Sequence, residues 1–247
     1  MRRWQLTAVL GTAALVAGCG GVQIAPQPVF PKALIEPLPA TIGLVLPAAQ
    51  RDYKHEETRG GTTWAVLLGS AQQSFARTVM GAMFREVREF PDAAAAAADA
   101  QLQAVFEPHI EQYSFATAQE TGGEYVAVTI RYRIEVSAPD GSAHDTLSLT
   151  GYGTSPTGAM DLDSSGPMDQ ATRAAMRDAA AKFMVQFGDL PLAATLSKGE
   201  RVAGANPGSR ADAAARSIEA LPIRESRRRP AVPASGGVSP AAAPSGS

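Results

Sequence analysis

One residue of this sequence stands apart for its chemistry, because Cys19 is the only cysteine in 247 residues. No second thiol is present to pair with it in a disulfide. A basic start, Met1 to Arg3, and an uncharged apolar run from Leu6 to Ala17 precede it. A basic start, an apolar run and small residues before a cleavage point are typical of a secretory signal peptide. A membrane-spanning helix needs about 20 apolar residues, so this run is too short to be one.

The stretch LVAGC at residues 15–19 resembles the lipobox of bacterial lipoproteins. That resemblance implies that a diacylglycerol is joined to the thiol of Cys19, that residues 1–18 are removed and that the new amino terminus is acylated. Two or more acyl chains hold a protein stably on a membrane. In this family an aspartate after the cysteine tends to retain the protein on the inner membrane, so Gly20 favours the periplasmic face of the outer membrane. Two alternatives stay open: a plain secretory signal with a chance cysteine, and a Gram-positive host.

Other residues whose types could do chemistry form no catalytic or metal-binding pattern in the sequence. The stretch GTSPTG at 153–158 is one residue too long for a G-x-S-x-G nucleophile elbow, and we interpret it as a loop. The three histidines have no partner four residues away, so we interpret them as isolated. Glutamates 56 and 57, or 107 and 111, could be read as the acid pair of a glycosidase, but acidic residues are ordinary on exposed strands. We therefore predict a protein that is not an enzyme and binds no cofactor and no metal.

Two groups of aromatic and basic side chains could bind a partner. Aromatic residues are enriched where protein interfaces form. The predicted partner surface consists of Tyr53, His55 and Trp64 in an early hairpin, and of Tyr125, Arg131 and Arg133 on the outer face of a later strand. For the second group, an ordinary solvated sheet face is the alternative.

Charge is distributed unevenly along the chain. Residues 19–198 carry 13 Lys and Arg against 20 Asp and Glu, a net charge of −7. Residues 199–247 carry 7 Arg against 4 acidic residues, a net charge of +3. An acidic body argues against a nucleic-acid surface, which would be basic. We therefore expect no nucleic acid among the partners.

Composition divides the chain into four segments. Residues 1–18 are the predicted signal peptide, 19–40 a Pro-rich tether that lifts the domain off the lipid, and 41–198 a globular domain. Residues 199–247 are a predicted disordered tail, rich in Ala, Pro, Gly, Ser and Arg. The basic cluster at 227–229 in this tail is either simply solvated or in contact with anionic headgroups, lipopolysaccharide or peptidoglycan.

Periodicity predicts both strands and helices in the globular domain. Every second residue from Val126 to Val136 is apolar, which predicts a half-exposed antiparallel strand. Further strands are predicted over residues 41–46, 51–57, 62–68, 102–115 and 146–152. One helix is predicted to start at a capping box at 70–73 and to continue through Val87, and a second to run from 167 to 187. The predicted fold class is α+β, a two-layer sandwich of a mainly antiparallel sheet with two helices packed on one face.

Several stretches within residues 35–196 carry a second resemblance: IEPLPATIGLVL, YKHEE, FEPHIEQYSF, IRYRIEVSAPDG and TGYG. After a lipobox they resemble a group of uncharacterised proteobacterial outer-membrane lipoproteins, similar in layout to YajG-type lipoproteins. The resemblance implies a strand, a helix, a meander and a closing helix, but no established activity. The chain departs from that layout in an extra hairpin at 51–68 and in its long tail.

These observations leave three functions open. The leading hypothesis is a lipid-anchored protein of the periplasm that binds an envelope protein, or a second copy of itself, in envelope assembly or export. The alternative is an accessory lipoprotein of a lipid or polysaccharide transport system, whose sheet and helices would hold an apolar ligand. A hydrolase is the third.

Overall fold

The computed structural model describes residues 21–158 and 165–204, together with the backbone of 216–218. The predicted signal peptide, Cys19 and most of the predicted tail lie outside these residues. The described strands are β1 (Val22–Ile24), β2 (Leu38–Val45), β3 (Lys54–Arg59), β4 (Thr62–Leu67), β5 (Phe84–Phe90), β6 (Ala104–Ala116), β7 (Tyr125–Ser137), β8 (Ala143–Pro156) and β9 (Arg216–Ile218). The described α-helices are α1 (Ala48–Arg51), α2 (Gly69–Met83), α3 (Ala93–Ala97), α4 (Ser165–Gln186) and α5 (Pro191–Ser197).

The strands form two sheets. The larger sheet has the order β5-β2-β6-β7-β8-β9, and the smaller one has the order β1-β4-β3. β6, β7 and β8 make an antiparallel meander, in which Phe106 lies opposite Val136 and Tyr132 opposite Leu149. β2 pairs in parallel with β5 and β6. Parallel neighbours need a crossover connection, and α2 lies in the one between β2 and β5.

One face of the meander forms the main core. The buried residues of β7 alternate along the strand as the sequence predicted: Val126, Val128, Ile130, Tyr132, Ile134 and Val136. The ring of Tyr132 stacks on that of Phe75 in α2, with centroids 4.4 Å apart. Four phenylalanines from β5, β6 and the end of α4 extend the same core: Phe84, Phe106, Phe183 and Phe187.

The helix α4 lies unusually close to β8, because β8 has glycines at the contact. A Cβ atom on Gly151 or Gly153 would overlap the backbone of Ala175 or Ala171 in the helix. Small residues on both sides therefore allow the backbones to approach. The predicted second helix is confirmed as α4, followed by a 3-10 turn at Phe187–Asp189.

Helices α2 and α4 lie on the same side of the larger sheet and contact one another. The smaller sheet packs beside them, with the ring of Trp64 5.7 Å from that of Phe115 in β6. The fold class is α+β, with the larger sheet as one layer and these helices as the other, as predicted. No helix among the described residues is long and apolar enough to cross a bilayer.

The first predicted helix is shorter than its periodicity suggested. α2 ends at Met83, and Phe84–Phe90 forms the edge strand β5, so the prediction of a helix through Val87 is wrong. Pairing with β2 satisfies the backbone groups on one side of this edge strand, while Val87 still packs against the core. The predicted capping box at 70–73 is also wrong, because α2 begins at Gly69 and has no side-chain cap. The helix starts at a glycine because the Arg51 carbonyl leaves no room for a Cβ atom there.

Part of the segment predicted as a tether is packed on the domain. β1 pairs in parallel with three residues of β4, from Trp64 to Val66. Ile24 is 5% exposed, and Phe30 makes an edge contact with Phe75 at 6.0 Å. Residues 25–37 continue across the surface of α4 and α2. The described part of the predicted tether is therefore attached to the helix layer over much of its length.

Candidate functional site

The first half of the predicted partner surface lies mostly in the core. Trp64 is 5% exposed and packs on Phe115. The ring of His55 packs on that of Tyr113, with centroids 5.0 Å apart. Burial raises the pKa of Tyr53, which packs against the same core. These side chains attach the smaller sheet to the larger one. Trp64 is too buried to contribute to an exposed partner surface.

The second half of that surface lies on the solvent side of the meander. Tyr125 is 40% exposed, Arg131 is exposed and Arg133 is half-buried in an ion pair with Glu135. Tyr152 of β8 is 59% exposed and lies on the same side. We call this surface the outer face, and its aromatic and basic members are Tyr125, Arg131, Arg133 and Tyr152. The structure therefore brings together the second group of predicted residues and adds a second tyrosine.

Four ionisable side chains meet on the outer face near the start of β6. In the register of β6 and β7, Glu107 lies opposite Glu135, and His109 lies opposite Arg133. The Nε2 atom of His109 is 3.1 Å from a carboxylate oxygen of Glu107. Burial raises the pKa of the Glu107 carboxyl; the charge of Glu135 raises it further, while His109 and Arg133 act in the opposite direction. We call these four residues the charged cluster.

Glu107, His109 and Glu135 are the described residues whose ligand atoms come close enough to hold a metal ion, within 4.8 Å of one another. Two carboxylates and an imidazole are ligands that divalent transition metals accept. The Nε2 atom of His109 is buried and faces Glu107 without hydrogen-bond geometry, which fits such a site. Arg133 does not fit a metal site, because its guanidinium already pairs with the Glu135 carboxylate that would be a ligand. The side chain of Glu135 is also 46% exposed.

Sequence reasoning missed this cluster because it treated the histidines as isolated, which is wrong for His109. The signal was present in two strands. Glu107 and His109 are two residues apart in β6, and Arg133 and Glu135 are two residues apart in β7. Side chains two apart on a strand share a face. The sequence alone did not provide the register of β6 against β7, which brings the two pairs together.

The stretch at 153–158 is mainly strand, so its interpretation as a loop is wrong. Residues 153–156 complete β8. Ser155 is 2% exposed, and its hydroxyl donates to Oε1 of Gln170 at 3.1 Å. A nucleophile elbow instead presents its serine at an exposed turn between a strand and a helix. This serine is positioned to hold α4 against the sheet.

An apolar groove lies between the N-terminal segment and the helix layer. Its volume is about 530 Å³, and its lining comes from residues 30–37, from 78–82 of α2 and from Ala180 and Met184 of α4. In the same region Leu34 is 97% exposed. A groove of this size and lining suits a small apolar ligand.

Comparison with known proteins adds little. No family model matches the sequence, and no curated protein matches it. One solved structure with some similarity is that of the hypothetical protein CT253 from Chlamydia trachomatis, at 1.65 Å resolution. It is 12% identical, the match covers 59% of this chain and 96% of that chain, and the TM-score is 0.35. A likeness at this level carries no argument about function, and the resemblance to YajG-type lipoproteins stays a prediction.

Proposed function

We propose that this protein is a non-enzymatic lipoprotein that is anchored through acylated Cys19 to the periplasmic face of the outer membrane. The observation that carries the proposal is the LVAGC stretch at 15–19, placed directly after an uncharged apolar run. Two or more acyl chains make such attachment stable. The globular domain then stays at the membrane surface, where it binds a protein partner in envelope assembly or export.

The outer face is the surface that fits a protein partner best. It presents two exposed tyrosines and the guanidinium of Arg131 on a rigid meander. Tyrosine and arginine are the residue types that contribute most binding energy in protein interfaces. The partner is either another envelope protein or a second copy of this chain.

Cell fractionation tests the anchor. In a Gram-negative host the wild-type chain is expected in the outer-membrane fraction, and Cys19→Ser in the soluble periplasmic fraction or as an uncleaved precursor. Gly20→Asp serves as the matched control, because it keeps the thiol and is expected to move the protein to the inner membrane. A Cys19→Ser chain that is still processed and remains on the outer membrane would contradict the proposal.

Photo-crosslinking in intact cells tests the partner surface. A photoreactive residue in place of Arg131 or Tyr152 is expected to give a discrete crosslinked species, whether with another protein or as a dimer. The same residue in place of Ser70, which is exposed in the first turn of α2, is the control and is expected to give none. Equal crosslinking from all three positions would remove the outer face as the binding surface.

The apolar groove favours a second candidate function, an accessory lipoprotein of a lipid or polysaccharide transport system. The segment at 30–37 forms much of the groove lining, and within it Leu34 is 97% exposed. A carrier of acyl chains needs an apolar channel of this kind.

Binding of a fluorescent fatty acid to the Cys19→Ser chain distinguishes the two functions. If the protein is a carrier, Ala82→Trp fills the groove and abolishes binding. Val185→Trp adds the same side chain outside the groove lining and leaves binding unchanged. The carrier function is excluded if the parent chain shows no saturable binding, or if both variants bind equally. Partner binding is then the one remaining function of the two.

A further inference from the structure

We propose that one end of the domain rests directly against the lipid headgroups, with the turn between β3 and β4 and the loop at 117–124 as its contact surface. We call this the turn end. The inference rests on the proposed acyl anchor at Cys19 and assigns the surface that the anchor holds against the membrane.

The position of β1 carries the argument. Val22 lies beside Trp64 in parallel register, and a Cβ atom on Gly21 would lie 3.3 Å from the carbonyl oxygen of Thr63. The described chain therefore begins next to the turn at Gly60 and Gly61. Cys19 precedes Gly21 by two residues, which span at most about 7 Å. A sulfur that carries acyl chains in the bilayer thus keeps this turn near the headgroups.

The loop at 117–124 belongs to the same end. A Cβ atom on Gly60 would lie 3.1 Å from Oε1 of Gln119. Arg59 joins the turn to the loop, with a guanidinium nitrogen 2.8 Å from a carboxylate oxygen of Glu120 and another 2.9 Å from one of Glu57. Both segments therefore reach the membrane together.

The surface chemistry of the turn end is compatible with headgroups. Arg59 pairs with Glu57 and Glu120 and offsets part of the acidic charge there. Four glycines at positive φ keep the two turns small: Gly60, Gly61, Gly122 and Gly123. The exposed ring of Tyr125 follows directly. A tyrosine at such a position has an apolar body and a polar tip, which suits the interface between lipid and water.

The far end of the domain is defined by the turn between β7 and β8. From Ala127, next to the loop at 117–124, β7 extends about 33 Å to Ser137. The charged cluster lies near this far end, because Glu135 is two residues from Ser137. The turn-end orientation therefore leaves Arg131 and the charged cluster available to a partner in the periplasm, while Tyr125 lies close to the lipid.

Quenching by lipids with a nitroxide on the headgroup tests the orientation. The sulfur of acylated Cys19 is a thioether, so an introduced cysteine is the one thiol that reacts with a fluorescent maleimide. Labels at Glu124→Cys, Leu34→Cys and Ala143→Cys report the turn end, the helix layer and the far end. Each full-length acylated chain is placed in vesicles of phosphatidylethanolamine, phosphatidylglycerol and the nitroxide lipid. The label at 124 is expected to lose its fluorescence most, and the label at 143 is expected to keep it.

An insertion shows whether the short connection between Cys19 and β1 causes the quenching at position 124. About 20 Gly and Ser residues between Gly20 and Gly21, with a mean span of roughly 25 Å, are expected to reduce quenching at position 124 without changing acylation. Stronger quenching at 143 or 34 than at 124 overturns the orientation, as does an insertion without effect.

The mass of the N-terminal peptide from each preparation tests the anchor separately from the orientation. An acylated Cys19 with the wrong quenching pattern overturns the orientation alone, whereas an unmodified Cys19 overturns the anchor as well.

Discussion

Two glycines in β8 set the distance between the sheet and its longest helix. The Ala171 carbonyl of α4 occupies the space that a side chain at Gly153 would need, and Ala175 does the same at Gly151. Neither glycine has a positive φ. Glycine is needed at both positions because there is no room for a side chain, and not because of the backbone conformation.

A methyl group at this contact is expected to destabilise the fold. Gly153→Ala should lower the free energy of unfolding by about 1–3 kcal/mol, because the helix must move away from the sheet. Gly81→Ala is the control: Gly81 lies in α2 with open space around it, and the change should raise stability by roughly 0.5–1 kcal/mol through helix propensity. Urea unfolding measures both. Equal effects from the two variants would contradict the packing described here.

Glu107 makes stability depend on pH. Its pKa is raised above the ordinary 4.5, chiefly by burial, so the folded chain keeps a proton that the unfolded chain has lost. The free energy of unfolding therefore falls as pH rises from about 4.5 through the raised pKa, and the lost stability stays lost at higher pH. The groups that face Glu107 are Glu135, His109 and Arg133.

Replacement of Glu107 by Gln is expected to flatten this part of the pH profile. Urea unfolding at a series of pH values above 4.5 measures the slope for wild type and for Glu107→Gln. Glu124→Gln, on the exposed loop, removes one carboxylate outside the cluster and should leave the slope nearly as in wild type. If Glu107→Gln shows the wild-type slope, the burial of this carboxyl does not control the profile.

At the scale of elements, α4 protects the exposed part of the edge of β8. Among the described residues, β9 pairs with β8 from Leu147 to Leu149. Beyond that point, Lys182 donates to the carbonyl oxygen of Thr150 at 3.0 Å, and the N–H of Tyr152 donates to Asp178 at 2.8 Å. Unpaired strand edges are sites of self-association, so these two side chains act against it.

Removal of the Asp178 side chain is expected to lower stability and to expose the edge of β8. Asp178→Ala should destabilise the fold by about 0.5–1.5 kcal/mol through the lost hydrogen bond, and should increase self-association along β8. Asp169→Ala, which removes only an ion pair to Arg173 four residues away in the same helix, should cost at most about 0.5 kcal/mol. Urea unfolding and sedimentation velocity provide the two readouts. A more stable or strictly monomeric Asp178→Ala chain would contradict this role.

Local patterns predicted the elements whose burial is regular, and tertiary pairing decided the others. The alternation from Val126 to Val136 specifies a strand with one buried face, and β7 is that strand. The spacing of Phe84, Val87 and Phe90 fits a helix better than a strand, and pairing with β2 makes the segment a strand. The charged cluster could not be found without the register of β6 against β7. The face of Tyr125, Arg131 and Arg133 could be found, because it depends on one strand alone.

At the scale of the whole molecule, the proposed anchor would divide the surface by its distance from the lipid. If Cys19 is acylated as proposed, the short connection to β1 would hold the turn end at the membrane, and the outer face would extend from there toward the charged cluster. The long Pro-rich segment crosses the helix layer and lines the apolar groove. Attachment would then use the turn end and partner binding the outer face, which meet at Tyr125, while any apolar ligand would use the groove.

The mass of the N-terminal peptide from protein isolated out of membranes tests the central claim most directly. The expected result is a mature chain that begins at Cys19, with a diacylglycerol on its sulfur and a further acyl group on its amino nitrogen. A mature peptide with a free thiol at Cys19, or one that begins at another residue, would contradict it.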